Sequence, residues 1–469
     1  MRKDLAKLSP QEKFRLAEEL RADAEAHITE IDDPDWFDGK KIDEVAYCEH
    51  LLAKQEMRCI NHRIYTMDGL IEDDKLRGRI AEDLKPYVRT YLDKAVERVL
   101  STLKLLCVSE PIRPTADRVH FRNGTYYLDG NFCNQREWTM NRLPVDYNPE
   151  AAEPKKWISF LAELMHEDDI ITLQEFLGYT MIATNKGQSM LLIIGSGGEG
   201  KSRISAVMQE LFGNNMNIGN ICKMESDKFA PANQEGKLLF IDDDMKMEAL
   251  ASTNVIKAIV TCDGKMDLER KNKQSYQGMM YVRMIGLGNG TLKALHDKTN
   301  GFYRRQIIIQ TKDKPVSRVD DPFLKEKLEA ELDGILLWCL EGLHRLVANR
   351  YKFTVSERSK LLKQEFMEDD NNIKGFLTST GYIAFDPSER CTTKKLYDVY
   401  RKWCYDNAEK PMAASTFSKY LAGHEKELHI KRNKNIPFEG TKYARGYEGI
   451  KTLTDGFAPI VDNSDNPFV

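Results

Sequence analysis

The sequence predicts an α/β fold built round a phosphate-binding P-loop, with a helical N-terminal region and a C-terminal winged helix. Three observations carry that expectation. Residues Gly195–Ser202 read GSGGEGKS and stand between an aliphatic run and a helix-patterned one. A second aliphatic run, Leu238–Ile241, ends in Asp242, Asp243 and Asp244. Near the C-terminus an amphipathic helical segment is followed by two basic, strand-like stretches. The first two are what a parallel sheet needs to hold a polyphosphate and its metal.

Composition sets the outer limits. A chain of 469 residues has material for two to four domains, each with its own core. The net charge is −4 with 30% charged residues, so no basic nucleic-acid footprint is visible globally and any such surface is local. The nine cysteines are scattered singly with no C-x-x-C pair, which gives neither zinc spacing nor a disulfide framework and suits a reducing compartment. The N-terminus is charged throughout, and no run approaches eighteen apolar residues. A cytoplasmic protein without membrane contact is expected.

The elements follow in order. Residues 1–105 read as helical, starting from the capping box Ser9-Pro10-Gln11-Glu12. Residues 106–184 change character. Two short strands flank Asn123-Gly124, a hairpin signal, with a second turn at Asp129-Gly130. Helical segments then lead into the phosphate-loop domain, 185–345. A helical connector (346–385), a compact basic module (386–455) and a loose tail (456–469) complete the chain.

The loop is the strongest single feature. Leu191–Ile194 predict a buried strand and Arg203–Leu211 a helix whose N-terminal dipole faces the anion. Backbone amides of Gly195, Ser196, Gly197, Gly198, Glu199, Gly200, Lys201 and Ser202 would wrap the phosphates of ATP. Lys201 would reach the β/γ-phosphates and the Ser202 hydroxyl would ligate Mg²⁺. In the favoured frame Asp242 also holds the metal and Asp243 polarises the attacking water, although the sequence alone does not fix which aspartate does which. Asn289, at the tip of a third apolar run, is placed to hydrogen-bond the γ-phosphate or the water. Arg270, Lys271 and Lys273 fall in a polar segment suited to a projecting hairpin, either a DNA-contacting loop or a solvated turn. Arg304 and Arg305 precede a fourth aliphatic run, where one guanidinium could reach a neighbouring subunit's phosphates.

Residues 386–455 hold fourteen Lys/Arg against ten Asp/Glu, a local excess of +4. Leu396, Val399, Tyr400 and Trp403 share the inner side of a helix, and Ser415 can cap a second, shorter one ending at Gly423. Helix–turn–helix geometry makes Lys419, Lys431, Arg432, Lys434 and Arg445 the candidate contacts to duplex DNA.

Taken together, the order of GSGGEGKS, LLFIDDD, VIKAIVTCDG, LERKNK, GLGNG and GFYRRQIII resembles the superfamily III helicases. It is nearest to their phage, plasmid and poxvirus primase-helicase branch, and to stand-alone replication initiators of mobile elements such as pathogenicity islands and chromosome cassettes. The likeness spans roughly residues 118–455. It implies an AAA+ core that assembles into rings, usually hexamers, and translocates on single-stranded DNA by hydrolysing ATP with Mg²⁺. By the match, Lys257 falls on the family's lysine between the acidic motif and the basic loop, and Asn289 on its sensor. Two departures stand out. Glu199 occupies a loop position where this branch often has asparagine. Only about 105 helical residues precede the hairpin, so no primase activity is expected. The N-terminal helices are then left as a candidate contact for host or element replication proteins. Three other functions compete with this one on the residues: an origin-binding ATPase that melts duplex or recruits another helicase, a P-loop small-molecule kinase, and a scaffolding protein whose ATP site only locks assembly, against which the three adjacent aspartates count.

Overall fold

The structure, a computed structural model, describes residues 33–456 except 247–248, 251, 263, 273, 291–292, 295–299, 316–319, 370–371, 410 and 439–441. The capping box at Ser9–Glu12, Lys273 and the tail from residue 457 onward lie outside the described residues. The chain divides into two compact units, with the boundary between Ile112 and Arg113.

The first unit corrects the all-helical expectation. Helix α1 (Glu44–Lys54) starts where the Asp43 carboxylate accepts the N–H groups of Val45 and Ala46. A three-stranded antiparallel sheet follows, made of β1 (Arg58–Ile60), β2 (Arg63–Thr66) and β3 (Gly69–Ile71). The β1–β2 turn, Asn61-His62, has positive φ at both residues (48° and 65°), the geometry of a two-residue hairpin loop. Helices α2 (Asp73–Leu84) and α3 (Leu92–Leu106) pack Leu76, Ile80, Val96, Val99 and Leu103 against Tyr47, Cys48 and Ile64.

The second unit opens with the expected hairpin, β4 (Arg118–Phe121) and β5 (Gly124–Tyr127), extended by β6 (Phe132–Cys133). Helices α4 (Lys155–Leu164) and α5 (Glu167–Tyr179) then lead to a five-stranded parallel sheet. Its strands are β7 (Met190–Ile194), β8 (Met216–Ile218), β9 (Leu239–Met245), β13 (Arg283–Gly288) and β15 (Gln306–Gln310), in spatial order β15-β7-β13-β9-β8. Between them lie the short parallel pair β10 (Ala249–Leu250) and β14 (Lys293–Ala294), and the hairpin β11 (Gly264–Leu268) with β12 (Tyr276–Met280). The fold is mixed α/β with a parallel sheet at its centre.

Both faces of that sheet are buried, which is why its strands read as continuous aliphatic runs rather than alternating ones. Leu191, Ile193, Leu239, Ile241, Ile285 and Ile309 point to one face, against Ile204, Val207 and Leu211 of α6 (Ser202–Phe212) and Leu336, Leu340 and Leu343 of α8 (Leu332–Ala348). Met190, Leu192, Phe240, Met284 and Ile308 point to the other, against Ile256, Ile259 and Val260 of α7 (Asn254–Thr261). Successive residues of a strand thus meet different partners, and this parity decides the site.

Helix α9 (Glu357–Asp369) leads to a module of α10 (Asn372–Thr378), β16 (Ile383–Thr392), α11 (Thr393–Asp406), α12 (Ala414–Gly423), β17 (Lys431–Phe438) and β18 (Lys442–Thr452). The three strands form an antiparallel sheet ordered β16-β18-β17. Leu396, Val399, Tyr400 and Trp403 face inward as expected, with Phe376 and Phe417 completing the core. Ser415 does not cap α12: the helix begins at Ala414 after Ala413, with no side-chain cap. Its start is fixed by tertiary contacts instead. The Met412 amide donates to the Tyr400 hydroxyl, and its carbonyl accepts from Tyr397. Among the described residues no helix is long and apolar enough to cross a membrane.

Candidate nucleotide site

The loop Gly195–Lys201 joins the carboxyl end of β7 to α6, which begins at Ser202. Gly197, Gly198 and Gly200 have φ of 105°, 80° and 107°, a backbone that side chains rarely adopt, so the glycines are what allow the chain to curl. A cavity of about 630 Å³ opens here, lined by the loop from Gly197 onward, Asp243, Asp244, Asn289 and a wall of Asp320, Asp321, Pro322 and Leu324. This is the carboxyl edge of an open parallel sheet, where such folds bind ligands.

Lys201 is nearly buried, and its Nζ lies 2.8 Å from Glu199 Oε2 and 3.5 Å from Asn289 Oδ1. Asn289 therefore stands beside the loop, as expected of a residue at the tip of β13. Glu199 is 2% exposed. Its second oxygen accepts the Gly197 amide at 2.6 Å. Burial pushes the Glu199 carboxyl up, but the Lys201 hydrogen bond and the Glu199 and Gly197 amides outweigh it and leave it below the usual range.

The aspartates correct the favoured frame. Asp242 is buried, does not line the cavity, and its carboxylate accepts the Ile221 N–H at 2.7 Å. Asp243, not Asp242, is the carboxylate whose titration the Ser202 side chain lowers. Parity is the cause. Leu239 and Ile241 share the face that packs on α6, so Asp243 follows them to that face while Asp242 follows Phe240 to the other. A bulge then brings Asp244 in as well. Asp242 pairs with Gly286 and Met245 with Gly288, so Asp243 and Asp244 together oppose the single residue Leu287. Gly288 is required beside this bulge, since a Cβ there would lie 2.5 Å from the Met245 carbonyl oxygen. Burial raises the Asp243 carboxyl above its usual range against the lowering by the Ser202 side chain, and the charge of Asp244 adds to the rise.

These residues fit a divalent cation. Asp243 Oδ1 is buried with no hydrogen-bond partner among the described residues, beside a hydroxyl and a second carboxylate. Such a set of hard oxygen donors suits Mg²⁺ bound together with substrate phosphates.

The basic residues divide. The expected hairpin exists as β11–β12, but Arg270 is an anchor, not a tip contact. Its guanidinium bonds Glu235 Oε2 at 2.6 Å and the Tyr276 hydroxyl at 2.8 Å, and that hydroxyl donates to the same carboxylate. Lys271 beyond it is exposed. Arg304 and Arg305 stand at the start of β15, the opposite end of the sheet from the loop, and neither lines the cavity. Five residues of strand, roughly 16 Å, separate them from the loop end of the sheet. Arg305 turns back to the Gly301 carbonyl, whereas Arg304 is exposed. Lys257, on α7, is not a lining residue either. Lys419, Lys431, Arg432, Lys434 and Arg445 are all exposed on α12 and the β17–β18 pair.

Two family models match parts of the chain. Residues 193–305, from the loop strand to Arg305, match a family of unknown function, DUF5906. Residues 364–454, the C-terminal module with the end of the connector, match the poxvirus D5 protein-like family, which relates that part of the chain to those proteins. Among solved structures, the A form apo structure of the NrS-1 C terminal region is similar at 13% identity with a TM-score of 0.48, over 86% of this chain and 88% of that one. A second apo structure of the same region has 12% identity and a TM-score of 0.45, over 87% of this chain and 100% of that one.

Proposed function

We propose that this chain is an ATP-dependent DNA helicase and replication initiator of a phage or mobile genetic element. In this reading the parallel-sheet domain is an AAA+ core of the superfamily III type that works as a ring, with six subunits the expected number. The C-terminal module is a winged helix on duplex DNA. The observation that carries the reading is the convergence of Lys201, Ser202, Asp243, Asp244 and Asn289 round one cavity at the carboxyl edge of the sheet. The poxvirus D5-like match supports it for the C-terminal module.

The residue roles follow from position. Lys201 and the loop amides bind the β- and γ-phosphates of ATP. Ser202 and Asp243 would hold Mg²⁺, which would supply neutralisation of phosphate charge. Asp244 orients and deprotonates the attacking water, and Asn289 fixes the γ-phosphate or that water. Lys271, beyond the Glu235–Arg270–Tyr276 anchor, grips single-stranded DNA, and Lys273 is given the same role from the sequence alone. Lys419, Lys431, Arg432, Lys434 and Arg445 contact duplex phosphates or base edges.

A comparison of two neighbouring variants tests the site. Asp243→Asn should lower ATP hydrolysis by about 10²–10³-fold, the loss typical of removing one preorganised transition-state group. Asp242→Asn keeps an acceptor for the Ile221 amide and should stay within a few-fold of wild type. Steady-state phosphate release measures both. The reverse pattern would restore the metal to Asp242 and refute the frame set by strand parity.

A further inference from the structure

The Glu199 carboxylate sits where a phosphate-binding loop should present only donors. It takes the Lys201 ammonium at 2.8 Å with one oxygen and the Gly197 amide at 2.6 Å with the other. A Cβ on Gly195 would lie 2.6 Å from Glu199 Oε1, so that glycine too gives the carboxylate room. At 2% exposure it is not a solvated side chain that happens to lie nearby. Two of the groups assigned to phosphate, the lysine and a loop amide, are thus already bound to an internal anion.

We propose that Glu199 is a latch, an intramolecular stand-in for phosphate that polyphosphate must expel before it can bind. This rests on the nucleotide-site reading above and extends it with a regulatory residue. The physical argument is competition. Lys201 cannot keep a 2.8 Å charge-assisted bond to Glu199 and hold a β/γ-phosphate in the same direction, and an ionised carboxylate beside phosphate oxygens is repelled. The loop therefore has a latched state, in which Glu199 neutralises Lys201, and an open state that binds. Apparent affinity is reduced by the fraction of molecules in the open state, so a predominantly latched loop binds more weakly than its donors allow. The latch also keeps the buried lysine paired when no nucleotide is present, which an asparagine at the same place could not do by charge. Glu199 acts through Lys201; it is a positioning residue with no part in the chemical step.

The sign of the effect separates this from a merely structural role. Glu199→Gln keeps the side chain's length and an acceptor for the Gly197 amide but removes the charge. ATP affinity of the full-length protein, measured by calorimetric titration with Mg²⁺, should rise about tenfold or more, while the melting temperature without nucleotide falls because Lys201 loses its partner. Glu199→Ala should change both quantities in the same directions, and inorganic pyrophosphate should show the same gain as ATP. A structural brace would instead lose affinity along with stability. If wild type binds ATP in a Lys201-dependent way and both variants bind it no more tightly, the latch is refuted and the nucleotide site stands. If wild type and both variants all fail to bind ATP or pyrophosphate, the nucleotide site and the latch fall together.

Discussion

Replacing Lys201 by alanine should lower ATP hydrolysis by about 10²–10³-fold or more, because the variant removes the cation that stabilises charge on the transferring phosphoryl group. The structure adds a second, separable effect. Glu199 is 2% exposed and is ion-paired with Lys201 at 2.8 Å. Removing one member of a buried pair costs about 3–5 kcal/mol, since the other charge stays buried without that counter-charge. Lys201→Ala should therefore also unfold more easily than wild type. The double variant Glu199→Gln/Lys201→Ala, with no orphaned charge, should regain most of that stability and none of the hydrolysis. Thermal melting and phosphate release on the same preparations distinguish the two effects. If Lys201→Ala hydrolyses ATP at the wild-type rate, the phosphate-loop assignment falls.

The second large effect is expected between subunits. Arg304 and Arg305 sit at the start of β15, beside the Gln306 carbonyl to which Lys363 of the connector donates at 2.7 Å. From there neither reaches its own cavity, so a role in hydrolysis requires a neighbour. Arg304 is the candidate, because Arg305 is engaged with the Gly301 carbonyl. Arg304→Ala should then lose roughly 10³-fold in rate, as the loss of an arginine supplied from across an interface does. A Lys201→Ala subunit has a dead loop and a usable arginine, and an Arg304→Ala subunit has the reverse. Mixed before assembly, some interfaces join the two intact halves, and hydrolysis should partly recover. Light scattering on the same mixtures tests whether rings form. Mixed rings that stay as inactive as their parents would show that Arg304 does not act across the interface.

How much of this was legible in the sequence depends on how local each feature is. The loop, its strand and its helix are contiguous, and their pattern of glycines and aliphatic residues foretold them. The hairpin β11–β12 was equally visible as a polar segment between apolar ones. The aspartate frame was not. A buried strand carries no alternation of polar and apolar residues, so nothing in LLFIDDD says which aspartate shares a face with the loop helix. The bulge that admits Asp244 arises from pairing with Gly286 and Gly288, more than forty residues away. The pairing of Arg270 was hidden for the same reason, because its partner Glu235 is distant in sequence. The β1–β3 sheet escaped because strands of three or four residues are too short for a clear period, although Asn61-His62 and Asp68-Gly69 were readable as turns. Glu199 was visible as an anomaly. Its pairing with Lys201, two residues on, explains how a carboxylate is tolerated there.

The most direct test of the whole account is strand displacement on a forked DNA duplex by the full-length protein with ATP and Mg²⁺, followed by release of a labelled strand. The account predicts ATP-dependent displacement that disappears with a non-hydrolysable analogue, with Lys201→Ala, and with Lys271 and Lys273 both neutralised, while the last variant still hydrolyses ATP. Hydrolysis by wild type without any displacement would contradict it, and would leave an ATPase that binds or melts origin DNA without unwinding it.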